Sequence, residues 1–287
     1  MKVLVLGASG LLGSTLVPAL KAQGHRVTAH ARTGTGPAVA DLNDSFATHS
    51  LMATVAPEVV VNLAGLTDVD QCESAPQSAW RANVLSVENI ATACRVAGAH
   101  LVHISTDQVY DGPPTHSETQ ACPGNYYALS KYAGELAALS IGATVLRTNF
   151  FGASRHPNRR SITDWLFHSL MQQKPVNVFE DVFFSPLSMA TLCTMIELNL
   201  HLQPSGVFNL GSHDGLSKAD FAFTFARVLG LAEIRMSRTR VGDAGLTAWR
   251  PKDMRTNCSK IERTLDIALP RLEDEIALAA KDYRAQV

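Results

Sequence analysis

An apolar strand-like run, "KVLVLG" at 2–7, passes without a spacer into "GASGLLG" at 7–13, and this junction constrains the fold more than any other stretch of the chain. Gly7, Gly10 and Gly13 stand at G-x-x-G-x-x-G spacing between a strand and the helical pattern that follows. Glycines there let the backbone approach a pyrophosphate, and a helix N-terminus presents free N–H groups and partial positive charge to it. No lysine follows Gly13, so the loop is not the nucleoside-triphosphate type. The expected ligand is a dinucleotide cradled by Gly7, Ser9, Gly10, Leu11, Leu12 and Gly13.

The remaining pattern agrees with that start. "RVTAHA" at 26–31, "VVVNLA" at 59–64, "HLVHIS" at 100–105 and "ATVLRT" at 143–148 are short runs rich in β-branched residues, separated by longer segments with helical spacing. One of these, "SAWRANVLSVENIATACRVAG", ends on Gly98 where a helix C-cap belongs. Steady alternation of strand and helix predicts parallel pairing with right-handed crossovers, an α/β doubly wound sheet. Past residue 150 the rhythm breaks: a polar loop "SRHPNRRS", a helix to Leu170, the strand-like "PVNVF", a helix around 188–201 and the strand "GVFNL" at 206–210. The expected organisation is a dinucleotide-binding domain from 1–150 and about 187–212, with a smaller, interleaved C-terminal α/β substrate lobe from about 151–186 and 213–287.

Charge and cysteine usage narrow the ligand. Twenty-five basic residues against 26 acidic ones give no electrostatic reason to expect nucleic acid or an anionic membrane as a partner. No stretch reaches the roughly 18 unbroken apolar residues of a membrane span. The lysine and apolar residues at the start resemble a signal peptide only briefly, because glycines interrupt the run. Five scattered cysteines, at 72, 94, 122, 193 and 258, form no C-x-x-C pair or zinc spacing, which suits a reducing compartment and buried packing roles. These features predict a cytoplasmic protein with a small-molecule substrate and no metal; a homodimer is the commonest assembly for such a chain.

The end of the second strand reports on the cofactor. An acidic residue there would hold both ribose hydroxyls of NAD and repel a 2′-phosphate, but "TAHARTG" places Ala31 at that position with Arg32 after it. NADP is therefore the expected cofactor. Asp41 and Leu42 in "ADLND" are candidates for the adenine edge.

"GNYYALSKYAGE" at 124–135 carries the chemistry. On a helix Tyr127, four residues before Lys131, lies about 40° from it, whereas Tyr126 lies about 140° away, so only Tyr127 shares its face. A tyrosine has an ordinary pKa of about 10, and a nearby cation would favour its ionised form in proton transfer.

"GASGLLG", "VVVNLAGLTDVDQCESAP", "HISTDQVYDG", "YYALSK", "LRTNFFG" and "RPKDMRTNCSK" together resemble the extended short-chain dehydrogenase/reductases, and within them the dTDP-4-dehydrorhamnose reductase family. The resemblance implies a Rossmann sheet and an NADP-dependent oxidoreductase that reduces a 4-keto-6-deoxy sugar nucleotide. It assigns Thr106 to polarising the carbonyl, Tyr127 to donating the proton, and Lys131 to steadying the tyrosine and the nicotinamide ribose. It also places Leu63, Ala64 and Gly65 beside the cofactor. Ser105, next to Thr106, points the other way if the strand continues.

In the related 4,6-dehydratases an Asp-Glu pair follows the threonine; here Asp107 and Gln108 stand there, which favours reduction over elimination. A 4-epimerase remains an alternative. So does an NADP-binding regulatory subunit like the methionine adenosyltransferase beta subunit, which resembles the same family. Asp107 is expected either to cap a turn or to touch a sugar hydroxyl. Arg250 and Lys252 in "WRPKD" are candidates for the substrate diphosphate. Two departures from the family pattern, Phe184 and Leu187 in "FFSPLS", and an uncharged Gln71 where lysine is common, point to an altered substrate pocket.

Overall fold

A computed structural model describes residues 1–34, 36 and 38–284; the last three residues of the expected substrate lobe lie outside that range. Six parallel strands form the central sheet in the order Gly206–Leu210, Thr144–Thr148, His100–Thr106, Val59–Asn62, Lys2–Leu6, Arg26–Ala29. The order in which the chain adds strands reverses between the parallel neighbours Lys2–Leu6 and Val59–Asn62, the place where such a sheet opens a ligand crevice at its carboxyl ends, and the glycine loop begins there. Beyond Arg26–Ala29 a single parallel bridge, Ala31 to Val39, stands where a further edge strand would lie.

The strands are apolar because both faces are covered. Val3, Val5, Val59, Val61 and Leu146 pack with the helices Gly13–Ala22 and Met189–Leu202 on one side. Leu4, Leu6, Val60 and Val145 pack with Ser45–Val55 and Ser86–Ala97 on the other. The second lobe has a core of its own, built on Phe151, Phe167, Phe184, Phe221, Phe225 and Tyr283. Its short strands Val176–Phe179 and Met236–Thr239 pair in parallel. Cys258, Ile261, Leu265 and Leu269 come back from that region of the sequence to join the core of the sheet.

Three local features differ from the sequence reading. The segment from Pro76 to Ala97 is not one uniform α-helix, because Arg81–Leu85 forms a π-helical turn that brings Asn83 inward. The strand expected to reach residue 64 stops at Asn62, whose side-chain oxygen turns back to accept from Ala64 N–H at 3.0 Å. Four cysteines are buried, but Cys122 is exposed. Among the described residues, no helix is long and apolar enough to cross a membrane.

Candidate active site

The glycine loop has the shape of a phosphate cradle. Gly7 adopts φ 73°, a left-handed conformation, and a Cβ there would lie 2.8 Å from Ala64 N. Gly7 thereby lets the ends of the first and third strands meet, which brings Leu63, Ala64 and Gly65 beside the loop. A Cβ on Gly13 would press on the Ala8 carbonyl, whereas Gly10 meets only the Gly7 oxygen. The helix Gly13–Ala22 starts without a side-chain cap, leaving its first amides for an anion. Ser9 is exposed and Leu11 half-buried, while the Leu12 side chain belongs to the core, so only its backbone faces the loop.

Next to the loop lies a groove lined by Ser9, Ser14, Ala29, His30 and Ala31. His30 is buried and joins the two sides: Gly7 N–H donates to its Nδ1 at 3.4 Å, and its Nε2 lies 2.9 Å from the Ala40 oxygen. Burial lowers its pKa. Arg32 is exposed at the rim. Asp41 is exposed and accepts from Asn43 N–H and Nδ2 at 3.0 and 2.9 Å, a turn that holds its pKa down with help from Arg32 and Arg81. The Leu42 side chain is buried in the core and its carbonyl accepts from Asn89 Nδ2 at 3.0 Å, so the side chain does not face a ligand. These residues fit an NADP cofactor: a cradle of Cβ-free positions, uncapped amides, and a cation instead of a carboxylate at the rim.

The helix Tyr126–Leu139 carries the candidate reacting groups Tyr127 and Lys131. Asn125 caps it by accepting from Ala128 N–H at 2.8 Å and donates to the Trp249 carbonyl at 2.8 Å, so the second lobe grips its start. Helical phase separates the tyrosines as the spacing requires: Tyr127 is 6 % exposed and Tyr126 46 %. Lys131 and Glu135 continue the buried stripe at intervals of four. Asn83 ties this helix to the cofactor side, since its Oδ1 accepts from Leu66 N–H at 2.8 Å and its Nδ2 donates to Leu66 O and to Ser130 Oγ. A Cβ on Gly134 would collide with the Asn83 carbonyl, which explains how the π-turn approaches so closely.

Thr106 ends the strand His100–Thr106 next to the phenol. Its Oγ1 accepts from Gln108 N–H at 3.1 Å, and its hydroxyl side-chain contact works to lower the Tyr127 pKa. Burial outweighs this and raises that pKa, with the charges of Asp107 and Cys72 adding to the rise. The Lys131 ammonium, depressed to about 8 mainly by burial, donates to the Ile104 carbonyl at 2.8 Å. Ser105 faces away, as strand alternation predicts, and bonds to Glu135. Glu135 in turn receives two guanidinium nitrogens of Arg147, at 2.6 and 3.0 Å, and Arg147 Nη1 reaches Tyr110 OH at 2.7 Å.

Asp107 does not cap the turn after the strand; the Thr106 side chain does. Burial lifts the Asp107 carboxyl to about 6, opposed by a 2.9 Å bond from Asn149 Nδ2 and by the Lys218 charge. Lys218 opens the helix Lys218–Leu229, and its charge and that of Asp107 act on one another. Its ammonium lies 5.9 Å from the centre of the Phe184 ring and makes no hydrogen bond or ion pair among the described residues. Burial lowers its pKa, Asp107 raises it and Arg250 lowers it. Arg250 is half-buried, pairing with Asp70 at 2.7 Å and with the Ala248 carbonyl. Lys252 is exposed and turns to Asp181 at 3.4 Å, outside the cation pair of Arg250 and Lys218. Phe184 and Leu187 sit in the two cores, so their effect on the pocket is indirect, in the case of Phe184 through Lys218. Gln71 is exposed on the short helix Val69–Ser74.

The chain is similar to known proteins along nearly its whole length. The family described as "RmlD substrate binding domain" matches residues 1–285. A probable low-salt glycan biosynthesis reductase, Agl14, of Haloferax volcanii is 28 % identical over 99 % of both chains. Methionine adenosyltransferase 2 subunit beta of Pongo abelii is 29 % identical over 91 % of this chain and 81 % of its own. The crystal structure of dTDP-4-dehydrorhamnose reductase from Bacillus anthracis, in complex with NADP, superposes with a TM-score of 0.88 at 23 % identity, covering 98 % of this chain and 100 % of that one.

Proposed function

Because the chain belongs to the RmlD substrate binding domain family, we propose that it is an NADP-dependent reductase of a 4-keto-6-deoxy sugar nucleotide with Tyr127 as proton donor. The observation that carries this reading is the convergence of Thr106, Tyr127 and Lys131 at the carboxyl end of one strand, linked through Asn83 to the loop that meets Gly7. NADPH, when bound, supplies the hydride. Thr106 donates a hydrogen bond to the carbonyl oxygen as charge develops, and Tyr127 gives it a proton. A raised phenol pKa suits this direction, since the group is fully protonated before transfer. Lys131 spends one of its three donors on Ile104 and keeps two for ribose hydroxyls. Arg32 binds the 2′-phosphate, and Arg250 and Lys218 bind the anionic and hydroxylated parts of the substrate in the cleft between the lobes, with Asp107 accepting from a sugar hydroxyl.

The similarity to methionine adenosyltransferase 2 subunit beta supports a second reading, a regulatory subunit that binds NADP without turnover. A panel of nucleoside diphosphate 4-keto-6-deoxyhexoses with NADPH separates the two. Oxidation of NADPH with one or more of them is the expected result; tight NADPH binding with no oxidation across the panel would favour the regulatory reading. The proposal includes a homodimer covering the exposed Trp80, Leu129 and Leu136 on neighbouring helices, and light scattering that finds only monomer would remove it.

A further inference from the structure

We propose that His25, Glu197 and His201 form a binding site for a zinc-class divalent transition ion at the edge of the sheet opposite the cleft. His25 lies between the helix Gly13–Ala22 and the start of the strand Arg26–Ala29. Glu197 and His201 occupy one face of the last turns of the helix Met189–Leu202, at i and i+4. Both segments lie at the amino ends of the parallel strands, whereas Thr106 and the glycine loop lie at the carboxyl ends.

His25 is only 8 % exposed, yet neither of its ring nitrogens has a hydrogen-bond partner. A buried polar group in that state is unusual and costly. Its Nε2 is 3.6 Å from Glu197 Oε1, and His201 Nε2 is 2.8 Å from the same oxygen. The three donor atoms all lie within 4.8 Å of one another. Tetrahedral zinc with ligands at about 2.0–2.1 Å holds neighbouring donor atoms roughly 3.3 Å apart, so small side-chain rotations bring this set into range.

The donor chemistry selects the ion. Two imidazoles and one carboxylate suit zinc, nickel or copper and not magnesium or calcium, which take oxygen ligands. The His201 side chain is 57 % exposed, giving the ion an entry path and a solvent-filled fourth position. Bound there, the ion clamps the first strand–helix crossover to the helix Met189–Leu202, two segments otherwise joined at this point by apolar packing. Its role is therefore structural. The sequence pattern could not reveal it, because Glu-x-x-x-His is a common surface pair and His25 is distant in the chain.

The test uses chelator-treated full-length protein without a histidine tag. Zinc is titrated calorimetrically into wild type, His201→Ala and Glu197→Gln. The expected result is one equivalent bound by wild type, a thermal midpoint that zinc raises, and affinity weakened roughly tenfold or more in each variant. Cobalt(II) should give visible bands of a four-coordinate site in wild type alone. The metal-free circular dichroism spectra of all three proteins should coincide, which checks that the variants are folded. Absence of calorimetric zinc binding by wild type, or binding undiminished in both variants, would overturn the assignment.

Discussion

The Lys131 ammonium donates to the carbonyl oxygen of Ile104 at 2.8 Å, two residues before Thr106 on the neighbouring strand. That bond ties the helix Tyr126–Leu139 to the strand His100–Thr106. Burial raises the phenol pKa of Tyr127, with the charges of Asp107 and Cys72 adding to the rise and the Thr106 hydroxyl opposing it. Glu135, one turn further along, is the anion that acts on Lys131. The stripe Tyr127, Lys131, Glu135 therefore links the buried phenol of Tyr127 to the buried Arg147.

The Glu135–Arg147 pair should be a keystone of stability. Both side chains are buried, and Arg147 also supports Tyr110, whose hydroxyl donates to Asn209 Oδ1 at 2.6 Å. Removing one member of a buried pair strands the other charge, at a cost of about 3–5 kcal/mol. Glu135→Ala should lose that much in urea unfolding. A loss below about 1 kcal/mol would mean that Arg147 finds another partner or water.

Asp107 predicts a pH dependence of stability. Its carboxyl titrates at about 6 when folded, against about 3.9 in an unfolded chain. Between those values the folded protein holds a proton that the unfolded chain has released, so stability falls as pH rises through the window. Asp107→Asn removes the titration. Relative to wild type, the variant should gain on the order of 2–3 kcal/mol between pH 4 and pH 6.5. Parallel unfolding profiles for the two proteins across that range would contradict the burial argument.

Much of this site was legible in the chain, for reasons that differ residue by residue. The strand-to-helix junction at Gly7–Gly13 and the phase of Tyr127 against Tyr126 follow from local geometry, and strand alternation likewise turned Ser105 away from Thr106. Asn83 was hidden because its task is to satisfy Leu66, 17 residues earlier, from a π-turn that no periodicity announces. Glu135 repeats the i+4 interval and could have been found by extending the stripe. Lys218 could not: Ser217 and Asp220 mark a helix start, with Asp220 N–H donating to Ser217 Oγ at 2.9 Å, but only the packing of the lobes aims that first residue at Asp107.

Lys218 should matter for the sugar nucleotide and not for the cofactor. Its ammonium lies 5.9 Å from the Phe184 ring centre and its charge reaches Asp107. Loss of a hydrogen bond from a charged group is worth about 1.5–3 kcal/mol, so Lys218→Met should raise the KM for substrate by roughly 10- to 100-fold. The Kd for NADPH should stay within about twofold of wild type by the same reasoning. An unchanged KM would place the lysine outside the substrate site.

Arg32 should set the choice between NADPH and NADH. It is exposed beside the groove at Ala31, and its charge reaches the Asp41 carboxylate. A charge-assisted pair with the 2′-phosphate predicts that Arg32→Ala weakens NADPH roughly 10- to 100-fold and leaves NADH nearly unchanged. Calorimetry with both cofactors measures it. A preference that survives the substitution would move phosphate recognition to another residue.

The two adjacent tyrosines give the sharpest test of the reaction. Tyr127 is buried against Thr106 and Asp107, while Tyr126 is turned to solvent with its backbone N–H donating to Glu73 at 3.0 Å. Tyr127→Phe keeps the ring and its packing but removes the proton donor, so NADPH should still bind while single-turnover reduction falls by about 10²-fold or more. Tyr126→Phe should be nearly silent, since its hydroxyl has no part in the cleft. Lys131→Met should lower both turnover and cofactor affinity, because the ammonium that bonds Ile104 also faces the ribose site in this mechanism. Stopped-flow NADPH oxidation with a 4-keto sugar nucleotide distinguishes the three variants. Equal impairment of the two tyrosine variants would show that the defect comes from the helix and not from one hydroxyl, and full activity in Tyr127→Phe would assign the proton to another group.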